Sequence, residues 1–74
     1  MDAQPPDRKA LLRARGRLLK DLAEREGVTK GHMTRVVAGE RRSPRLERVI
    51  ARELRMPLSK AFPEWYGRGR DRVA

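Results

Sequence analysis

Apolar residues recur along the chain at intervals of three and four positions, which is the spacing of helices that bury one face. The clearest of these stripes lies at i, i+3, i+4 and i+8 and consists of Leu46, Val49, Ile50 and Leu54. Ser43 and Pro44 come directly before it, and serine at the cap with proline at the first helical position is typical of a helix start. Few runs of β-branched residues interrupt the pattern. It therefore predicts an all-α fold, a compact bundle of about five short helices.

Two further helices are predicted between residues 19 and 39, from about Leu18 or Leu19 to Glu26 and from about Lys30 to Ala38. A tight junction joins them, in which Gly27 can end the first helix with a positive φ and Thr29 can cap the second. Their apolar faces hold Leu19, Leu22 and Ala23 in the first and Met33, Val36 and Val37 in the second. Small Ala23 permits a close crossing, so the pattern favours a helix-turn-helix in helices 2 and 3 over a plain αα-hairpin.

The remaining elements divide the chain into an arm, a domain and a tail. Residues 1–6 are predicted to be a flexible N-terminal arm, residues 7–66 the domain and residues 67–74 a flexible basic tail. Helix one is expected from Asp7 to Arg15, with Leu11, Leu12 and Ala14 as its apolar members. Pro57 should end helix four, and a fifth helix should run from Leu58 to Phe62 and stop at Pro63.

The outer face of helix four is predicted to be solvated, although DNA contact by Arg45 and Arg48 is left open. This face holds Arg45, Arg48, Arg52 and Arg55 together with Glu47 and Glu53. All three aromatic residues, Phe62, Trp65 and Tyr66, follow within five positions of one another. They could close the core or form a self-association patch; core closure is favoured for Phe62, and Trp65 is left open.

The charge balance indicates a polyanionic partner. Nineteen Lys and Arg against ten Asp and Glu give a formal net charge of +9 and a pI near 11.4. Such an excess is most often found in proteins that bind nucleic acid, and most of these cations are arginine, whose planar fork suits phosphates and guanine edges. No apolar run approaches the ~18 residues of a membrane span, and no signal-peptide core follows Met1. We therefore expect a soluble, cytoplasmic protein without a membrane partner.

Residue types that catalysis or cofactors require are scarce. The chain has no cysteine and a single histidine, His32, so no metal site can be assembled from the usual ligands. No glycine-rich phosphate loop or nucleophile–base pair is recognisable. We expect no enzyme activity, no cofactor, no metal and no small-molecule substrate.

The predicted second helix of the helix-turn-helix has an outer face of small and cationic residues, which suits close approach to a DNA groove. The expected base-contacting residues are Lys30, Gly31, Thr34 and Arg35, and the expected phosphate contacts are Arg17, Lys20, Thr29, His32, Arg41 and Arg42. One such helix reads few base pairs, so a weak homodimer completed on double-stranded DNA is expected. The alternatives are a basic RNA-binding accessory protein and an antitoxin-like adaptor that binds a protein partner.

The order of these pieces resembles a known family. The segment LAEREGVTKGHMTRVV followed by ERVIARELRMPLSKAFPEWY is similar to the Ner-like (Nlp-type) transcription regulators of Mu-like phages, within the lambda repressor/Cro-like helix-turn-helix family. Those regulators end in an aromatic-Pro-x-x-Tyr segment, matched here by residues 62–66. The resemblance, over roughly residues 8 to 66, implies a five-helix array and a phage-type or mobile-element repressor that binds its operator as a dimer.

Overall fold

Six helices and no strand make up residues 5–67, the part of the chain that the computed structural model describes. They are α1 (Arg8–Ala14), α2 (Leu19–Glu26), α3 (Lys30–Ala38), α4 (Pro44–Leu54), α5 (Leu58–Ala61) and α6 (Pro63–Tyr66). The all-α class is confirmed, with one helix more than the sequence predicted. Of the expected arm and tail, residues 1–4 and 68–74 lie outside the described residues.

Side chains cap three of the helices, at Thr29 and Ser43 as the sequence predicts and at Asp7, for which no cap was predicted. Asp7 caps α1 by accepting a hydrogen bond from the backbone N–H of Ala10 at 3.1 Å. Thr29 Oγ1 accepts one from the N–H of His32 at 3.0 Å and so starts α3. At α2 the cap position holds Leu18, which offers no side-chain hydrogen bond. The first N–H groups of α2 are therefore without a capping side chain.

The junction between α2 and α3 has the predicted geometry. Gly27 ends α2 in the left-handed region at φ +74°, and its N–H bonds back to the last turn of the helix. Only two residues, Val28 and Thr29, separate it from α3. α2 packs directly on α3, and buried Ala23 lies on the face of α2 that enters the core.

The core lies where α1, α2, α3 and α4 meet, and the C-terminal helices close one side of it. Its buried apolar members are Leu12, Leu19, Leu22, Ala23, Met33, Val36, Val37, Leu46, Ile50, Ala51, Leu54, Ala61 and Phe62. From α1 only Leu12 belongs to this set. Leu11 and Ala14 are exposed, so their expected place on the apolar face was wrong.

The end of the domain differs from the prediction. α5 ends at Ala61, and Pro63 begins α6 instead of stopping the chain. Proline lacks the N–H that a first helical residue leaves unbonded, so it can begin a helix as readily as end one. Phe62 lies between the two helices and is 0% exposed, which confirms its place in the core. Trp65 is half-buried and packs against the core.

Glu47 is completely buried, so its predicted position on a solvated face was wrong. It stands three, four and seven residues before Ile50, Ala51 and Leu54, which places it within the buried arc of α4. Its carboxylate is retained there because donors surround it, from the side chains of Arg42 and Tyr66 and from the backbone of Ser43. Burying a charge without such partners would be very costly.

Arg8 is the other buried charge in the described chain, with 3% of the residue exposed. Its guanidinium donates to the backbone carbonyls of Val37 in α3 and Ala61 in α5, and lies 4.1 Å from the centre of the Phe62 ring. One side chain of α1 therefore connects the last turn of α3 with the C-terminal helices. It helps to determine how α3 is held against the domain.

Candidate nucleic-acid interface

α3 turns its apolar residues inward and its small and cationic residues outward. Met33, Val36 and Val37 are buried. Lys30, Gly31, Arg35 and Ala38 are exposed, and His32 and Thr34 are half-buried. The four residues predicted to contact bases thus share an accessible side of one helix, as that prediction requires.

A groove of about 370 Å³ runs beside this face, between α1, the start of α2 and the start of α3. Its lining residues are Lys9, Arg13, Arg17, Leu18, Leu19, Lys20, Lys30 and Thr34. Five of these eight are cationic and none is acidic. Like charges in one concave surface raise the local positive potential, which favours a polyanion.

The groove brings together some of the predicted contact residues and separates others. Arg17 and Lys20 lie at its α2 side, and Lys30 and Thr34 at its α3 side. Gly31, His32 and Arg35 belong to α3 but do not line it, and Thr29 lies at the N-terminus of α3. Arg41 and Arg42 lie farther along the chain, in the loop between α3 and α4.

Arg17 is held in place by an ion pair. Its Nε lies 2.8 Å from Oε1 of Glu53 in α4, while 55% of its side chain remains exposed. Glu53 also accepts from Arg25 at 2.9 Å, and this hydrogen bond outweighs partial burial and lowers the pKa of the Glu53 carboxyl. Arg17 can therefore present its free edge to the groove from a constrained position.

The same network partly neutralises cations outside the groove. Arg25 pairs with Glu26 as well as Glu53, and Arg45 donates to Glu26 Oε1 at 2.8 Å. The hydrogen bond from Arg25 to Glu53 is the main cause of the raised pKa of Arg25. Arg45 is thus engaged by a carboxylate, which makes it a weaker candidate for a phosphate contact.

Arg41 and Arg42 are both exposed, but only Arg42 forms an ion pair with another described residue. Arg42 Nε donates to Glu47 Oε2 at 2.9 Å, and its guanidinium lies 4.5 Å from the centre of the Trp65 ring. This hydrogen bond to Glu47 is the main cause of the raised pKa of Arg42. Part of the Arg42 side chain, 46%, is still exposed to solvent.

The carboxyl of Glu47 is at the centre of this cluster. Burial alone would raise its pKa, but hydrogen bonds from Arg42, Tyr66 and the backbone of Ser43 outweigh burial and lower it. The Tyr66 hydroxyl donates to Glu47 Oε1 at 2.6 Å, and burial together with this bond raises the pKa of Tyr66. The cluster fixes the loop that follows α3 against α4 and α6.

Two residues of the groove, Lys9 and Arg13, were missing from the predicted contacts. Both are exposed on α1, one helical turn apart, and neither forms an ion pair with another described residue. A signal was present in the sequence, because Lys9 and Arg13 have the i, i+4 spacing that puts two residues on one helix face. What the sequence alone could not show is that this face of α1 adjoins the helix-turn-helix.

The described residues offer neither a cluster of metal ligands nor a membrane-spanning helix. Among residues 5–67 there is no group of three or more His, Cys, Asp or Glu side chains arranged to hold a metal ion. None of the helices there is long and apolar enough to cross a membrane.

A family model described as winged helix-turn-helix DNA-binding matches residues 2–73, nearly the whole chain. The chain belongs to this family of helix-turn-helix DNA-binding domains. No curated protein and no solved structure matches it significantly. Residues 5–67 of this family member contain helices and no strand.

Membership of the family is consistent with the outward face of α3, which belongs to the helix-turn-helix, and with the cationic groove beside it. It makes the chain a DNA-binding domain of the kind found in non-enzymatic regulators. It supports double-stranded DNA as the partner that the net charge of +9 led us to expect.

Proposed function

We propose that the chain is a sequence-specific transcription repressor, of the type encoded by phages and mobile elements, which binds an operator in double-stranded DNA as a dimer. The observation that carries the proposal is the outer face of α3, whose accessible side adjoins a groove with five cations. A helix with small and cationic outer residues can enter the major groove, while cations beside it hold the phosphates.

In this arrangement α3 is the recognition helix. Lys30 and Arg35 would donate to O6 and N7 of guanine, and the methyl group of Thr34 would contact a thymine methyl. Gly31 is exposed and has open space where a Cβ would stand, so the α3 backbone can come close to the DNA there. These four residues would supply the sequence preference.

The phosphate contacts would surround the recognition helix and determine its position on the duplex. The uncapped N-terminus of α2 offers backbone N–H groups to a phosphate, beside Arg17 and Lys20. Thr29 accepts from His32 N, which leaves the hydroxyl hydrogen of Thr29 free to donate. The remaining contacts would come from His32, from Arg41 and from the exposed edge of Arg42, which Glu47 and Trp65 hold in a defined orientation.

Dimerisation on DNA follows from the small footprint of one domain. Two recognition helices about 34 Å apart would read successive major grooves on one side of the duplex. Phe62, first considered as a dimer contact, is 0% exposed and is fully occupied in the core. Leu58 is half-buried and remains partly accessible to a second copy, whereas the guanidinium of Arg42 lies over the ring of Trp65. The arm of residues 1–6 would precede the domain of residues 7–66, and the basic tail of residues 67–74 would add non-specific affinity.

The aromatic residues argue against the two alternatives. Sequence-specific RNA binders stack bases on exposed aromatic rings. Here Phe62 is buried, and Arg42 lies over Trp65 at 4.5 Å and over Tyr66 at 5.6 Å from the ring centres. The same coverage reduces the apolar surface that an adaptor could offer to a protein partner.

The test is selection of the full chain on random duplexes, followed by footprinting and by NMR titration with the best binder. We expect a two-fold symmetric site, two chains bound to each duplex, and shifts concentrated in residues 29–38. The proposal would be contradicted if no duplex shifted the NMR signals of residues 29–38, or if the chain bound structured RNA more tightly than duplex DNA. A single chain bound to an asymmetric site would contradict the dimer alone.

A further inference from the structure

We infer that α1 is part of the DNA interface and that Lys9 and Arg13 contact the phosphates of the strand that passes the N-terminus of α2. This inference rests on the proposed function and extends the interface to a helix outside the helix-turn-helix. It predicts a path for one DNA strand along the groove between α1 and the starts of α2 and α3.

The first observation is convergence from three helices. Lys9 and Arg13 come from α1, Arg17 and Lys20 from the start of α2, and Lys30 from the start of α3. All five line one concave surface, although they are separated by up to twenty-one positions in the chain. Phosphates spaced along a strand can meet several such cations at once, and each contact releases counterions.

The second observation is that four of these five cations are free to bind, while Arg17 is paired with Glu53. Lys9, Arg13, Lys20 and Lys30 are exposed, and none has an ion pair with another residue of the described range. In contrast, Arg25 at the end of α2 is paired with Glu26 and Glu53, and Arg45 in α4 is paired with Glu26. The groove between α1 and the helix-turn-helix therefore holds four exposed cations that no described carboxylate neutralises.

The third observation concerns the position of Lys9. It lines the cationic groove and also a second groove of about 290 Å³. That second groove includes Thr34, Ala38 and the chain at Pro5. Lys9 thus stands beside the recognition helix, so a duplex engaged by Thr34 would bring a phosphate strand to the start of α1.

The arginine-rich groove on α4 is a weaker candidate for the same strand. It is lined by Arg45, Arg48, Val49, Ala51, Arg52, Met56 and Leu58. Four of these seven residues are apolar, and Arg45 is already paired with Glu26. Arg52 of this surface and Lys60 of α5 are both exposed and supply the controls for the experiment.

The test compares two double variants of the full chain that remove the same charges, Lys9→Gln with Arg13→Gln and Lys60→Gln with Arg52→Gln. Each phosphate contact contributes about 0.9 to the slope of log affinity against log salt, so the α1 variant should lose about 1.8. Its deficit relative to the unmodified chain should then grow about twelvefold between 200 and 50 mM salt. The control variant should keep the slope. Equal losses in both variants would overturn the inference, because they would report net charge alone.

Lysine acetylation of the unmodified chain provides a second measurement that does not depend on the variants folding. The chain has four lysines, Lys9, Lys20, Lys30 and Lys60. Bound duplex should protect the first three and leave Lys60 reactive. Protection of Lys20 and Lys30 with Lys9 unprotected would overturn the inference and leave the proposed function intact. A chain that binds no duplex at all would refute the proposed function itself.

Discussion

Arg8 in the first helix and Glu64 in the last form a hydrogen-bonded ion pair, with 2.7 Å between Arg8 Nη2 and Glu64 Oε2. The two residues are 56 positions apart, and Gly39 at the end of α3 lies directly against them. A Cβ on Gly39 would stand 2.5 Å from Glu64 Oε2. The pair therefore joins the first and last helices of the domain at the C-terminus of α3.

Replacing Arg8 should destabilise the fold without removing a DNA contact. Arg8→Met keeps an apolar stem over Phe62 but leaves the carbonyls of Val37 and Ala61 without their donor. Removal of one partner from a buried pair costs roughly 3–5 kcal/mol, so urea unfolding should show a loss near the lower end of that range. Glu64 is 22% exposed in its side chain, and Glu64→Gln should cost less.

The control is Lys9→Gln, at an exposed neighbouring position, which should change stability by less than about 0.5 kcal/mol. Equal stability of Arg8→Met and Lys9→Gln would contradict this account.

Gly39→Ala should be more damaging than Gly27→Ala. Both glycines have a positive φ, +81° and +74°, so each alanine incurs the cost of the left-handed region, about 1–2 kcal/mol. At Gly27 nothing lies within 4 Å of the added Cβ, whereas at Gly39 it meets Glu64. The free energy of unfolding of both variants is measured by heat or urea. The extra loss in Gly39→Ala is then the cost of displacing Glu64 from its ion pair with Arg8. Identical losses would show that Glu64 moves aside without cost.

Glu47 should make stability depend on acid pH. Its pKa in the folded chain lies below the ordinary value of 4.5, so ionisation stabilises the fold above that pH. This stability is lost as the pH falls through the folded pKa. Glu47→Gln should therefore be less stable at pH 7 by roughly 3 kcal/mol, and the deficit should shrink below pH 4.5. Urea unfolding of the unmodified chain and of Glu47→Gln from pH 7 to pH 3 measures this difference in stability. A difference that does not change with pH would contradict the ionised state of Glu47.

Gly31→Ala should separate stability from DNA binding. Gly31 is helical and has open space around the position of a Cβ, so alanine should raise stability by up to about 1 kcal/mol. If the α3 backbone approaches the bases there, the same methyl group should weaken operator binding. The melting temperature and the operator affinity of Gly31→Ala together test whether the α3 backbone approaches the bases at this position. Greater stability with unchanged affinity would show that the glycine is merely tolerated.

Arg35→Ala should reduce the preference for the operator. Loss of a bidentate contact to guanine costs about 1–3 kcal/mol at one base pair and leaves random DNA little affected. Competition between selected and random duplexes measures this preference. Equal losses on both would refute a base contact.

Arg41→Ala provides the comparison for Arg35, because a phosphate contact carries no sequence information. It should weaken specific and random binding alike and reduce the salt slope by about one unit. An unaltered slope would remove Arg41 from the interface.

Local signals predicted the central part of the fold well. Thr29, Gly27 and Ser43 begin or end helices through short-range hydrogen bonds and backbone conformation, and these depend on few neighbours. The inward face of α3 followed from its periodicity. The predictions were wrong where the same residue type is compatible with two local structures. Pro63 can stop a helix or begin one, and Glu47 can face solvent or enter the core with hydrogen-bond partners.

By itself, then, the sequence determined the all-α class, the bounds of α2 and α3, and a charge suited to DNA. Only the tertiary structure decided that Arg8 and Glu47 are buried, that Arg42 is held by Glu47 and Trp65, and that α1 brings Lys9 and Arg13 into one groove with the start of α3. The physical reason is range. Helix periods and caps are encoded within about four residues, whereas ion pairs and shared grooves join residues far apart in the chain and exist only once the helices have packed.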